Sequence, residues 1–163
     1  MSLRSLHKRF FYKFLKNKSY EELANHVDVF LDKYLDKIFY LPAIKKLHEA
    51  VLDNHYIALF SSSPFFLVKP IADVLKIKEY RSTLYDLNDE KKFSKISVIV
   101  DGRQKAEYAK DLIEKLNVKK ENFFVYSDSI EDFELFKMAG IKVAVKPCRK
   151  LYKIAKKNSW EII

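Results

Sequence analysis

Two carboxylates, Asp128 and Asp132, sit four residues apart where a short apolar run, Phe123-Phe124-Val125-Tyr126, gives way to polar residues. That spacing joins a strand end to the first turn of a following helix, so both can face one point. Two hard oxygen donors, completed by water and a substrate phosphate, suit Mg²⁺. A second run, Ile57-Ala58-Leu59-Phe60, stops on Ser61-Ser62-Ser63-Pro64. Hydroxyls and backbone N–H groups at the end of a strand make an anion site of the kind phosphate occupies. Lys105 is expected to open a helix and adds an ammonium. A hydroxyl, an ammonium and Mg²⁺ around one anion suit phosphoryl transfer, where catalysis is mostly positioning and charge stabilisation. Each residue also has a purely structural reading. The serines cap a helix whose first position is Pro64, the aspartates cap another, and Lys105 is a surface lysine.

The elements that must hold these residues follow from periodicity. Leu6, Phe10, Phe11, Phe14 and Leu15 recur at helical spacing in a basic segment, residues 5–16. Such a helix can lie on a membrane, or pack on the domain with its lysines in water; the second is expected, because more amphipathic helix follows at once. Ser19 and Glu22 form a capping box ahead of a helix over 20–38, and Pro42 opens a third. From His55 the pattern changes to alternating strands and helices: a strand at 56–60, a helix to about 75 with Pro70 expected to kink it, and a hairpin of 80–87 and 96–100 turning at Asn88-Asp89. A helix from Lys105, a strand at 123–126, a helix at 131–139 stopping at Gly140, a strand at 143–145 and a helix at 149–158 complete the chain. This alternation predicts an α/β fold: a three-layer, Rossmann-like, mostly parallel sheet, with ligands at the carboxyl ends of its strands.

Composition narrows the function. With 163 residues, 48% of them apolar, the chain is long enough for one core. Only two glycines, Gly102 and Gly140, are present, which excludes glycine-rich phosphate loops. A single cysteine, Cys148, rules out an internal disulfide, and no run approaches a membrane span; a cytoplasmic location is expected. The net charge of +9 is spread along the whole chain, and no nucleic-acid motif accompanies it, so a nucleic-acid partner is not expected.

The ordered set of Ser61-Ser62-Ser63-Pro64, then Gly102-Arg103-Gln104-Lys105-Ala106-Glu107, then Tyr126-Ser127-Asp128-Ser129-Ile130-Glu131-Asp132 resembles the haloacid dehalogenase (HAD) superfamily, in the branch around phosphoserine phosphatase. The resemblance covers roughly residues 40–163. It implies a Mg²⁺-dependent phosphomonoesterase acting on a small phosphorylated molecule, with phosphoserine and phospholipid-like esters among the candidates. By resemblance Ser61, with Ser62 beside it, binds the phosphoryl oxygen and Lys105 offsets charge. Asp128 and Asp132 hold Mg²⁺ directly or through its shell. Ser127 stands where many members carry Gly.

One departure is larger. The family's nucleophile and acid/base are the two aspartates of a D-x-D-x-[TV] motif after a first apolar strand, and this sequence contains no such motif. Asp28, Asp32 and Asp36 recur every four residues along one helix stripe, and Asp101 is followed two residues on by Arg103. The expected organisation is a helical cap remnant at 1–53 and a HAD-like core at 54–163 that lacks its first strand, an incomplete form inactive by itself. In the resembled fold that strand lies mid-sheet, so its absence leaves a gap one strand wide, roughly 4.8 Å from each neighbour. The gap would be closed by direct pairing of the flanking strands, by a strand from another chain or by a homodimer, or else leave the chain marginally stable. The alternative is a non-catalytic module that binds a phosphorylated ligand or a partner chain.

Overall fold

The computed structural model describes residues 2–163, which fall into two compact units, one running to Val100 and the other Asp101–Ile163. The first unit begins with α1 (Leu3–Phe10), which continues as a π-helical turn over Phe11–Leu15. Next come α2 (Tyr20–Ile38), capped by the Ser19 hydroxyl accepting from the Glu22 N–H, and α3 (Leu41–Leu52), with Pro42 in its first turn. Strand β1 (Ala58–Pro64) leads through α4 (Phe65–Val74) to β2 (Glu79–Leu87), and a turn at Asn88 returns the chain as β3 (Phe93–Val98). β1 and β2 are parallel, β2 and β3 antiparallel, in the order β1-β2-β3.

Aromatic packing holds this unit together. Phe11, Leu15, Val27, Leu31, Phe66, Tyr85 and Phe93 form its buried cluster. Tyr85 stacks on Phe11 at 5.5 Å and meets Phe93 edge-on at 6.0 Å. Each such ring pair adds about 0.5–1.5 kcal/mol beyond the area it buries. α1 contributes only Phe11 and Leu15, on its π-helical turn, to that cluster; Leu6, Phe10, Tyr12 and Phe14 remain exposed. The expectation that this helix packs its apolar residues on the domain therefore holds for one face alone. α4 runs through Pro70 as a single helix. Pro70 lacks an N–H, so the Phe66 carbonyl loses its intrahelical donor, but the buried Phe66, Val68 and Ala72 anchor the helix on both sides of the proline.

The second unit is a run of alternating helices and strands: α5 (Gly102–Leu116), β4 (Phe124–Ser127), a 3₁₀ turn (Ile130–Asp132), α6 (Phe133–Met138), β5 (Ile141–Ala144), α7 (Arg149–Lys157) and β6 (Glu161–Ile162). Its three strands are all parallel, in the order β4-β5-β6. Phe136, Val143 and Leu151 are its largest fully buried side chains, and Trp160 stacks on Phe136 at 5.0 Å. The carboxyl-terminal tail is thus a strand, paired with β5. Gly140 follows the end of α6 as expected, but not in a left-handed conformation. A Cβ there would lie 2.4 Å from the Lys120 carbonyl oxygen, so glycine is required for close approach instead.

The fold is α/β with parallel pairing dominant. It forms two three-stranded sheets, so the strands ending near Ser61 and Asp128 each belong to their own sheet. Among the described residues no helix is long and apolar enough to cross a membrane.

Candidate active site

Asp132, 5% exposed, lies in the second unit at the junction of the 3₁₀ turn and α6. Its Oδ1 and Oδ2 stand 2.9 and 3.0 Å from Lys105 Nζ, and Lys105 is itself 9% exposed. The Ser127 hydroxyl donates to Oδ2 at 2.6 Å and accepts from the Ser129 N–H at 3.2 Å. Oδ1 has the ammonium beside it but no aligned hydrogen bond. An ion pair this buried persists only when both charges are compensated.

Local sequence explains each placement. Asp101 caps α5 by accepting from the Gln104 N–H at 3.0 Å, which sets the first helical turn and puts Lys105 on its inner side. Gly102 lets that turn approach the 3₁₀ turn: a Cβ at Gly102 would lie 1.7 Å from the Glu131 carbonyl oxygen. The Ser129 hydroxyl accepts from the Glu131 N–H at 3.1 Å and the Ser129 carbonyl from the Asp132 N–H at 3.3 Å, so the 3₁₀ turn is fixed from inside. Asp128, directly after β4, has an exposed side chain, and its carbonyl accepts from the Cys148 N–H at 2.9 Å. Cys148 is exposed at the start of α7; the Leu151 N–H holds its thiol below the ordinary range.

Ser61 and Ser62 belong to the first unit. β1 extends through the serines to Pro64, four steps from Phe60 where β2 takes two from Arg81 to Thr83, so the serines bulge out of the ladder. The Ser61 hydroxyl accepts from the Ser63 N–H at 3.1 Å. Pro64 is itself the residue preceding α4, and no side chain caps that helix; the expectation of a serine cap with Pro64 at the first helical position is corrected here. Proline at 64 has φ −60° and ψ 147°, extended values, and the helix starts one residue later.

Sequence reading did not single out Thr83. It is fully buried, donates to the Ser62 carbonyl at 2.8 Å, and accepts from the Val100 N–H at 3.2 Å. A threonine in a strand is an ordinary β-former, so only the register across β1 and β2 reveals that it pins the serine bulge. Asp28, Asp32 and Asp36 line the exposed side of α2, a solvated stripe.

The donor set bears on a metal. Among the described residues no group of three or more metal-ligating side chains exists. Asp132 is committed to Lys105 and Ser127, while Asp128 presents a carboxylate to solvent. Mg²⁺ keeps most of its waters and is commonly bound through one or two carboxylates plus substrate phosphate. Asp128 is the residue of this set that could hold Mg²⁺ in that way, while Asp132 is bound to Lys105.

The chain matches the family model of the haloacid dehalogenase-like hydrolases over residues 2–137. Among curated proteins, none matches it in sequence. Its fold is similar to that of a protein of unknown function from Bordetella pertussis Tohama I (19% identity, TM-score 0.81, covering 99% of this chain and 78% of that one). It is also similar to a substrate-bound phosphoserine phosphatase (18% identity, TM-score 0.72, 99% and 71%), and to a probable phosphoserine phosphatase from Vibrio cholerae (17% identity, TM-score 0.59, 68% and 33%). The chain thus spans from 33% to 78% of the length of these structures. By its family match and its fold, this chain belongs to the haloacid dehalogenase-like hydrolases.

Proposed function

We propose that the chain carries the phosphate-handling part of a Mg²⁺-dependent phosphomonoesterase and that, in the form described by this sequence, it is catalytically silent. The observation that carries the reading is the buried Lys105–Asp132–Ser127 network, with the exposed Asp128 next to Ser127 in the chain. Asp132, itself held by the Ser127 hydroxyl, fixes the Lys105 ammonium in place, which is what stabilising a phosphoryl group requires. Ser61 binds a phosphoryl oxygen, with the Ser62 backbone held by Thr83. Asp128 holds Mg²⁺, which when bound supplies positive charge to the phosphate. The organisation proposed is a helical cap over residues 1–53 and a core over 54–163, in the cytoplasm, with a small phosphorylated molecule as ligand.

None of Ser61, Lys105, Asp128 and Asp132 has the nucleophile's place in the resembled family, and the sequence holds no D-x-D-x-[TV] motif. The nucleophilic carboxylate then comes from a further segment or a second chain. β1 and β4 each stand at the outside of their own sheet, which suits addition of a strand.

The test is an assay of the purified chain with Mg²⁺ and p-nitrophenyl phosphate, paired with a thermal shift in inorganic phosphate. No turnover is expected, together with a rise in melting temperature that Lys105→Met removes. Turnover that both Ser61→Ala and Asp128→Asn abolish would overturn the silent reading and demand another nucleophile. Absence of any phosphate-dependent shift would remove the phosphate site.

A further inference from the structure

We infer that the outward face of α1 docks this protein on anionic membrane surfaces. Leu6, Phe10 and Phe14 follow one another every four residues and are 49%, 42% and 52% exposed. The Phe10 and Phe14 rings lie 5.2 Å apart, forming one apolar row on a helix whose neighbouring face is fixed in the core by Phe11 and Leu15. The helix is therefore rigidly mounted, with large apolar side chains turned to water at a cost that folding does not recover. Rows of this kind mark interaction surfaces.

Charge selects the occupant. From Ser2 to Tyr20 there are six lysines and arginines and no acidic residue; the first is Glu21. Lys13 lies over the Phe14 ring at 5.0 Å and Lys16 over Tyr12 at 5.2 Å, so the cations flank the aromatics. An aromatic row bordered by cations matches the boundary between acyl chains and anionic headgroups, where rings insert and lysines meet phosphates. A second copy of this chain would bring the same uninterrupted positive charge against itself, and a nucleic acid offers no apolar layer for the row. A bilayer rich in anionic lipid answers both features. This docking is independent of the phosphatase reading and holds whether or not the chain turns over substrate.

Sedimentation with vesicles tests it. The full chain is mixed with vesicles of phosphatidylcholine alone or of phosphatidylcholine with phosphatidylglycerol. Binding to the anionic vesicles at least about tenfold tighter than to neutral ones is expected, falling as salt rises. Phe10→Ser with Phe14→Ser should weaken it about tenfold or more with the charge unchanged. Should that variant misfold by circular dichroism, Phe14→Trp replaces it: brominated lipid should then quench its emission beyond the loss seen with Trp160 alone. Equal binding by wild type and the serine variant, or no extra quenching, leaves charge adsorption only and overturns the proposal. So does failure to bind anionic vesicles, whether the face instead self-associates in sedimentation velocity or captures RNA.

Discussion

Ser127 occupies a place where glycine is common in the resembled family, and its hydroxyl does something glycine cannot. It donates 2.6 Å to Asp132 Oδ2, while its own oxygen takes the Ser129 N–H. A hydrogen bond to a buried charged group is worth about 1.5–3 kcal/mol. Ser127→Ala should lose about that much in urea denaturation; an unchanged midpoint would show that the hydroxyl is replaceable by water. The Lys105–Asp132 pair gives a sharper contrast. Both side chains are about nine-tenths buried, at 11% and 7% exposure. Lys105→Met leaves a buried carboxylate with no counter-charge, and removal of one partner of such a pair costs about 3–5 kcal/mol. The double change Lys105→Met with Asp132→Leu removes both charges and should recover most of that loss. A double variant no more stable than the single one would mean that packing, not charge, makes the site sensitive.

At the scale of elements, Thr83 decides the shape of the serine bulge. Its hydroxyl is the one group joining the Ser62 carbonyl to the Val100 N–H. Thr83→Val keeps the volume but strands both backbone groups, at a cost of about 1–3 kcal/mol. It should also weaken the thermal shift in phosphate, since Ser61 sits on the freed bulge. A destabilised chain with an undiminished shift would separate the bulge from ligand binding. Helix boundaries were readable because they rest on local chemistry: the Ser19 cap, Pro42 and the 3.6-residue stripe define α2 and α3. Of the residues singled out by their order along the chain, Lys105 and Asp132 meet. The role of Thr83 was not, because it depends on a register between β1 and β2, which no local pattern encodes. Neither was the conformation of Gly140, fixed by the distant Lys120 carbonyl. The tail strand β6 was missed for the same reason: two residues, Glu161 and Ile162, carry no periodicity, and only the adjacent β5 makes them a strand.

For the whole molecule, net charge and one half-buried histidine act in the same direction. His7 sits on α1 with Nδ1 3.5 Å from the Tyr85 hydroxyl, and burial holds its pKa below the ordinary value near 6.5. The same burial pushes the Tyr85 phenol up to about 12, so Tyr85 stays neutral and offers His7 no counter-charge. The unfolded chain takes up a proton at His7 at higher pH than the folded chain does. Stability contributed by neutral His7 is therefore fully present above about pH 6.5 and is lost as pH falls through that value toward the folded pKa. Protonation of His7 also adds to a charge already at +9, which disfavours the compact state. The carboxylates act lower on the scale. Asp86 is held below the usual carboxylate range by the Ser97 hydroxyl and then Lys95, and Glu90 by Lys92, so both stay ionised through this window. Urea midpoints should drop between about pH 7.5 and 5.5, and His7→Asn should flatten that slope while leaving the loss below about pH 4 in place. A wild-type slope that His7→Asn does not change would assign the acid sensitivity to net charge alone. Added salt, which screens self-repulsion but not a desolvated imidazole, would then flatten the slope in its place.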